Sequence, residues 1–244
     1  MDCAAPQHPG PVKTLFWSGS LCASVFHGQA AVWRWWNYYR QHSGALGITH
    51  WGVFNDGPLN LPVEFFVDKQ EGSGPLRPFA QNKLNLVYHN EHLGRASVHQ
   101  IPGFWRNLLM AVKVCREQDF DRFVLVEYDC LILSAEMLYE VGATTTGLTC
   151  YWCPTYSIPE TSVVICGKDR FQRTEEQAQA IFNKTSAGSE DRFETAMDWT
   201  EVRKHRKGDR YPETTRAVPA DADYVCQLPI HAHLAWGRVI EVLE

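Results

Sequence analysis

The first half of the chain alternates short apolar runs with longer segments whose apolar residues recur at helical spacing. The runs VKTLFW (12–17), ITHWGVF (48–54), LNLVYHN (84–90) and RFVLVEYDCLIL (122–133) have the length and composition of buried strands. Between them, residues 29–42 carry apolar side chains at i, i+4 and i+7, and residues 104–115 form a continuous apolar stripe. This succession predicts βαβ units, and therefore an α/β fold with a mostly parallel sheet covered by helices.

The second half has a less regular pattern. Strands are predicted at 146–154 and 161–167, and a further strand within the segment ADYVCQLPIHAHLAW (222–236). Thr174 and Gln177 fit a capping box that would open a helix reaching Phe182, and another helix is predicted to start near Glu190. The turn-rich stretch 57–82 is interpreted as a surface excursion and residues 1–12 as a loose leader. We expect one domain over residues 13–244.

Composition and charge narrow the class of protein. Of the 244 residues, 45% are hydrophobic and 21% charged, which is typical of a globular chain and excludes a disordered one. A net charge of −5 argues against broad binding to nucleic acid. No apolar run approaches the ~20 residues needed to cross a bilayer, and no secretory signal is visible. We expect a soluble, cytoplasmic protein with no transmembrane segment.

The eight cysteines leave one alternative open. In the absence of a secretory signal we expect reduced thiols, and four of them lie in apolar stretches where a thiol acts as a small buried hydrophobe: Cys22, Cys115, Cys130 and Cys166. Cys150 and Cys153 form a single CxxC, to which His231 and His233 could add two ligands. A zinc-dependent hydrolase is therefore an alternative function.

Two acidic residues interrupt the most apolar strand. Glu127 and Asp129 stand at i and i+2, so a continuous strand would point both carboxylates to one side. Burying them unpaired costs several kcal/mol, which calls for a nearby cation. That cation is either Arg95 or Arg106, or a divalent metal bound by Asp129 while Glu127 holds a ribose or a metal-bound water. Hard oxygen ligands favour Mg²⁺ or Mn²⁺.

The order of these motifs resembles that of nucleotide-sugar glycosyltransferases of the GT-A fold. The apolar strand ending in acidic-x-acidic resembles their DxD strand, and VFNDGP (53–58) is similar to the V-D-D-G-S turn of the large family 2. NEHLGRASV (90–98) with GFWRNLLMAV (103–112) resembles the family's N-x-G-x-x-x-A-x-N-x-G-x-x-x-A segment. GSEDRF (188–193) resembles the xED motif, and HAH (231–233) a C-terminal metal-binding histidine. The chain departs from the family where DxD becomes ExD and where V-S-V-I-I-P-x-Y is replaced by TLFWSGS.

The resemblance implies a metal-dependent transferase that moves a sugar from a UDP- or GDP-linked donor to a hydroxyl of a glycan or other acceptor, with inversion. Residues 13–133 would bind the nucleotide sugar, and residues 134–244 would supply the acceptor and catalytic half. Mn²⁺ or Mg²⁺ would be held by Asp129 with His231 or His233, and Asp191 or Glu190 would be the catalytic base. The implied donor contacts are Asn55, Asp56, Arg95, Arg106, Glu127 and Asp129, and the acceptor contacts are Trp152, Tyr156 and Glu160.

Each of these residues also has a plain structural role open to it. Asp56 stands in a good turn sequence, and Glu190 and Asp191 suit the first turn of a helix. Asn107, on the polar side of its helix, is expected to be solvated. The nine tryptophans are either an aromatic core or platforms for sugar rings. A carbohydrate-binding protein without catalysis is therefore a second alternative function.

Overall fold

A computed structural model describes residues 12–20, 25–57, 66–81, 83–95, 97, 101–186, 192–212 and 216–228 of the chain. The strands are β1 (Thr14–Ser20), β2 (His50–Asn55), β3 (Phe66–Glu71), β4 (Leu84–Tyr88), β5 (Arg122–Val126), β6 (Leu131–Ile132), β7 (Leu148–Cys153), β8 (Ile158–Gly167), β9 (Glu201–Arg203), β10 (Gly208–Asp209) and β11 (Tyr224–Val225). The helices are α1 (Val25–Gln41), α2 (Ser43–Leu46), α3 (Pro102–Glu117), α4 (Ala135–Ala143), α5 (Phe171–Ser186) and α6 (Phe193–Ala196).

Eight strands form one sheet in the order β3-β4-β2-β1-β5-β8-β7-β9. The first five pair in parallel, whereas β8 runs antiparallel to both β5 and β7, and β9 is parallel to β7. A second, three-stranded sheet has the order β10-β11-β6. The prediction of a mixed α/β chain with a large, mostly parallel sheet flanked by helices is confirmed.

The sheet is the middle of three layers because side chains alternate along its strands. Leu15 and Trp17 of β1 belong to one buried cluster, together with residues of α3 and α5. Phe16, between them, belongs to the opposite cluster, where its ring stacks on Trp35 of α1 at a centroid distance of 5.3 Å. Trp17, Trp35 and Trp105 are fully buried, so these tryptophans pack in the two cores.

The amino end of β5 is fixed by a buried arginine. The guanidinium of Arg122 donates to the hydroxyl of Thr14 at 2.9 Å, to the carbonyl oxygen of Val141 in α4 at 2.7 Å and to that of Leu46 in α2 at 2.7 Å. These carbonyls stand at helix carboxyl ends, where a cation is favoured. Burial lowers the pKa of Arg122 to about 10, so it keeps its charge near neutral pH.

Several predicted elements differ from the observed ones. The single strand expected over 122–133 is two strands, β5 and β6, which belong to different sheets. The stretch interpreted as a surface excursion contains β3, a polar strand at the sheet edge whose pairing with β4 defines it. The helix expected to start at Thr174 begins at Phe171, since the Phe171 ring stacks on Phe123 in the core.

Other features of the chain follow the sequence more closely. The thiols of Cys115, Cys130 and Cys166 are fully buried, as expected, whereas Cys22 lies outside the described residues. The helix predicted from Glu190 is represented among the described residues by the short α6. Within the described part of the chain, every helix is too short or too polar to cross a membrane.

Candidate active site

A cleft of about 520 Å³ opens at the carboxyl ends of β1 and β5. It is bordered by α3 and the start of β8 in the large sheet, and by residues that follow β10 and β11 in the small sheet. The carboxyl edge of an open α/β sheet is where such folds bind ligands. The polar and charged lining includes Arg95, Asn107, Glu127, Asp129, Tyr156, Arg192, Glu194 and Arg210.

The acidic pair reaches this cleft from a turn, and not from a strand. β5 ends at Val126, after which the Glu127 amide donates to the Ser162 carbonyl oxygen at 2.9 Å. The amide of Cys130 donates to the carbonyl oxygen of Glu127 at 3.0 Å, which closes a four-residue turn before β6. The expectation that both carboxylates project from one side of a continuous strand is therefore wrong, although both of them line the cleft.

The carboxylates of this turn are held where their charge is costly. Burial raises the pKa of Glu127, and repulsion from Asp129 and Glu160 raises it further. Burial also raises the pKa of Asp129, against the attraction of Arg34. Such shifts mark a site that would gain free energy by binding a cation.

One carboxylate oxygen of this group has no hydrogen-bond partner in the part of the chain that the structure describes. The Oδ1 atom of Asp129 is buried without a hydrogen bond among the described residues. The hydroxyl of Ser162 lies 3.1 Å from Glu127 Oε2 and 2.9 Å from Glu160 Oε1, and its single hydrogen serves only one of them at a time. The carboxylate oxygens at this edge are therefore under-supplied with donors, as they would be around a hard metal ion.

Arg210 is a cation of the cleft that no sequence pattern indicated. Its guanidinium donates to both oxygens of Glu160, at 2.9 and 3.3 Å, and lies 5.4 Å from the centre of the Tyr156 ring. Glu160, predicted to contact an acceptor, is fully buried and holds Arg210 in place. No sequence pattern joins residues 50 positions apart, so only the fold brings the two together.

Asp56 and Arg106, two predicted donor contacts, bind each other instead of lining the cleft. The buried Asp56 carboxylate accepts from Arg106 and, at 2.7 Å, from the backbone amide of Gly94. Asn55 is also buried and donates through Nδ2 to the carbonyl oxygen of Gly57 at 2.7 Å. This network shapes the loop that carries Arg95, which does line the cleft.

The predicted acceptor residues separate in the structure. The Tyr156 ring is 45% exposed at the cleft, where it could face a sugar ring. Trp152 does not line the cleft, and the ammonium of Lys204 lies 4.1 Å from its ring centre. Glu194 and Arg192, which follow the predicted base on the chain, line the cleft as well.

Four predicted residues, Glu190, Asp191, His231 and His233, lie outside the described residues. Within the described ranges, no three His, Cys, Asp or Glu side chains converge as a metal site. The oxygens of Asp129 and Glu127 nonetheless suit Mg²⁺ or Mn²⁺, given the unpartnered Oδ1.

The CxxC pair gives little support to a zinc site. Cys150 is fully buried in the cluster that contains Leu148 and Val164. Cys153 donates its thiol to Asp209 Oδ1 at 3.3 Å, and burial raises its pKa to about 12. Neither cysteine belongs to a group of three or more His, Cys, Asp or Glu side chains that could hold a metal ion within the described residues.

A larger, more open hollow of about 1020 Å³ lies between α4 and β9. Its main cations, Arg203 and Arg206, both pair with Glu140, at 3.0 and 2.5 Å. His205 approaches the same carboxylate at 2.9 Å. Because these groups satisfy one another, the smaller cleft is the better candidate for chemistry.

No model of a known protein family matches the sequence, and no curated protein matches it. Among solved structures, the chain is similar to the crystal structure of a glycosyltransferase involved in the glycosylation of the major capsid of PBCV-1. The TM-score is 0.46 at 10% sequence identity, covering 89% of this chain and 95% of that chain.

Proposed function

We propose that this protein is a metal-dependent glycosyltransferase that moves a sugar from a nucleoside diphosphate sugar to a hydroxyl of a glycan or other acceptor. The observation that carries the proposal is the Glu127–Asp129 turn, with its unpartnered carboxylate oxygen, at the carboxyl end of the central strand β5. A cleft that holds buried carboxylates beside arginines suits a ligand made of a metal cation and a polyphosphate.

The metal would be Mn²⁺ or Mg²⁺, held by Asp129 with help from Glu127, and His231 or His233 is proposed as a further ligand. When bound, such an ion supplies Lewis-acid stabilisation of the charge that develops on a leaving diphosphate. The buried position of the Asp129 carboxylate strengthens its attraction for a cation, because the surroundings screen charge less than water does.

The arginines of the cleft would bind the diphosphate. Arg95 and Arg192 are exposed residues of the cleft lining, and Arg210 pairs with Glu160 beside the acidic turn. A guanidinium binds phosphate oxygens in a planar, two-pronged geometry. Arg95 comes from the half proposed to bind the donor, whereas Arg192 and Arg210 come from the half proposed for the acceptor.

The transfer itself needs one base. The acceptor hydroxyl oxygen would attack the anomeric carbon while the bond from that carbon to the diphosphate oxygen breaks. The hydroxyl proton would pass to Asp191 or Glu190, just before α6, and general-base assistance of this kind contributes about 10²–10⁴-fold in rate. Attack opposite to the leaving group inverts the anomeric carbon. Tyr156 would hold the acceptor.

The first experiment is isothermal titration with UDP and with GDP, each with and without Mn²⁺, on the wild type and on Asp129→Asn. We expect one nucleotide to bind only with the metal, and the variant to lose most of that binding. Asn keeps the size of the side chain but removes the charge that holds the ion.

Asp119→Asn is the matched control, because Asp119 lies before the amino end of β5 and is 83% exposed on its side chain. Asn also tolerates its left-handed backbone, φ 54°. We expect this variant to bind like the wild type. Failure of both nucleotides to bind the wild type under any metal condition would overturn the proposal, and binding of glycans alone would support a carbohydrate-binding protein.

A further inference from the structure

Asn107 carries a buried amide in the wall of the cleft. It lies on α3, is fully buried and lines the cleft. Neither its Oδ1 nor its Nδ2 atom makes a hydrogen bond with any residue that the structure describes. The sequence-based expectation of a solvated side chain is therefore wrong. A buried amide with no partner costs free energy, so an Asn at this position needs another explanation.

A glycine lies beside this amide in the cleft wall. Gly19, near the end of β1, also lines the cleft. A Cβ added there would lie 3.7 Å from Asn107 Nδ2 and 3.6 Å from the Trp17 ring, both ordinary contact distances. The Gly19 position thus has room for a methyl group, which would stand against the amide.

We propose that Asn107 is a specificity-determining residue that binds two neighbouring hydroxyl groups on a sugar ring of the donor. This inference rests on the proposed function. The amide presents an acceptor oxygen and a donor nitrogen side by side, so one hydroxyl donates to Oδ1 while the other accepts from Nδ2. Bonds of this kind tell a ring that carries both hydroxyls from one that lacks either.

The other parts of a nucleotide sugar fit the amide less well. A diphosphate has only acceptor oxygens and would leave Oδ1 unpaired. A nucleobase could also pair with the amide, but its position argues for a sugar ring. The amide lies beside Gly19 at the end of β1, and β1 pairs with β5 at the usual strand spacing of about 4.8 Å. Because the acidic turn follows β5, the amide is close to the residues that would hold the diphosphate. The sugar rings attached to a diphosphate lie within that reach, whereas the base lies beyond the ribose. The ribose and the transferred sugar are the two sources of such hydroxyls.

The first test needs no ligand. Asn107→Leu replaces the amide with an apolar side chain of similar shape and removes two unsatisfied atoms. We expect its melting temperature to equal or exceed that of the wild type. A purely structural amide would show the opposite, a lowered melting temperature. The proposal would be overturned if Asn107→Leu lowered the melting temperature and Asn107→Ala lowered it by more than the loss of side-chain volume explains.

The second test measures affinity for UDP, GDP and their 2′-deoxy forms, and for UDP-glucose, UDP-galactose, UDP-N-acetylglucosamine and GDP-mannose, all with Mn²⁺. If the hydroxyls are those of the ribose, the wild type prefers the ribonucleotide over its 2′-deoxy form by roughly 10- to 100-fold, and Asn107→Leu abolishes the preference. If they belong to the transferred sugar, the variant keeps its nucleotide affinity and loses a similar factor for the sugar nucleotides.

Gly19→Ala is the companion variant, because it leaves Asn107 in place and covers it with a methyl group. We expect it to weaken the same ligand as Asn107→Leu while its melting temperature stays near that of the wild type. Unchanged affinity for every probe in Asn107→Leu, alongside binding that Asp129→Asn abolishes, would overturn this inference alone. Absence of nucleotide binding in the wild type would overturn the proposed function with it.

Discussion

At the scale of single residues, Arg210 is the side chain that fixes the arrangement of the cleft carboxylates. It binds Glu160, which shares the Ser162 hydroxyl with Glu127. The sequence pointed to Glu127 and Asp129 because charge inside an apolar run is conspicuous. It could not indicate Arg210, which stands in a polar stretch that looks like any surface loop. Its importance comes from a partner 50 positions away.

We expect Arg210→Met to destabilise the protein by about 3–5 kcal/mol, because it leaves the Glu160 carboxylate buried without its counter-ion. Glu160→Met should also be costly, whereas the double variant should recover most of the loss. Urea unfolding of the four proteins measures the coupling.

Arg116→Met is the control for this cycle, since Arg116 pairs with Glu175 on the surface. We expect its cost to be below about 1 kcal/mol. A double variant as unstable as the sum of the single ones would show that the two residues do not act as a pair.

At the scale of elements, sequence patterns succeeded where an element is one uninterrupted apolar run or stripe. β2 and β4 were predicted within a few residues because both of their faces are buried, and α3 because its apolar residues repeat at the period of a helix. The division of 122–133 into β5 and β6 could not be predicted, since both pieces are apolar and only their pairing with different sheets separates them. The start of helix α4 does have a sequence signal in the N-cap residue Ser134, whose hydroxyl accepts from the Met137 amide at 3.2 Å.

Helix α4 is tied to the strand beside the large hollow through Glu140. Burial acts to raise the pKa of Glu140, but hydrogen bonds from His205 and Arg206 and the charge of Arg203 outweigh it and hold the pKa at about 2. A carboxyl whose pKa is lower in the folded state stabilises the fold above its unfolded pKa of about 4.3. This stabilisation is lost as the pH falls through about 2.

We expect Glu140→Gln to lower the stability at pH 7 by about 1–3 kcal/mol and to flatten the loss of stability between about pH 4 and 2. Unfolding by urea at a series of pH values measures both effects. Glu136→Gln, one turn earlier on the exposed side of α4, should leave the profile unchanged. An equal response of the two variants would contradict the role given to Glu140.

At the scale of the whole molecule, the mostly parallel sheet and its helical layers could be derived from the order of the elements. The small sheet could not, because strands of two residues carry no periodic pattern. Yet this sheet places Arg210 and Gln227 over the cleft. The candidate site is thus half predictable: the part at the ends of the long strands follows from the sequence, and the part that covers them does not.

This arrangement predicts which backbone segments a bound ligand will protect from hydrogen exchange. We expect Mn²⁺ with UDP or GDP, at about 100 times the dissociation constant, to slow amide hydrogen exchange by up to about 100-fold in 127–132, 208–212 and 224–228. Helix α4 (135–143), beside the other hollow, should exchange as before. Protection of α4 without protection of 127–132 would place the ligand in the wrong cavity.

The turn that carries Glu127 and Asp129 is held by a different sheet at each end. Ile132, just past the turn, pairs with Tyr224, which in turn pairs with Gly208. A Cβ on residue 208 would overlap the buried Tyr224 ring, so any larger residue there must displace that ring or the strand that carries it. In a genetic screen scored by activity, position 208 would therefore be as intolerant as position 129. A map of harmful mutations would then mark an apparent catalytic residue that does not line the cleft.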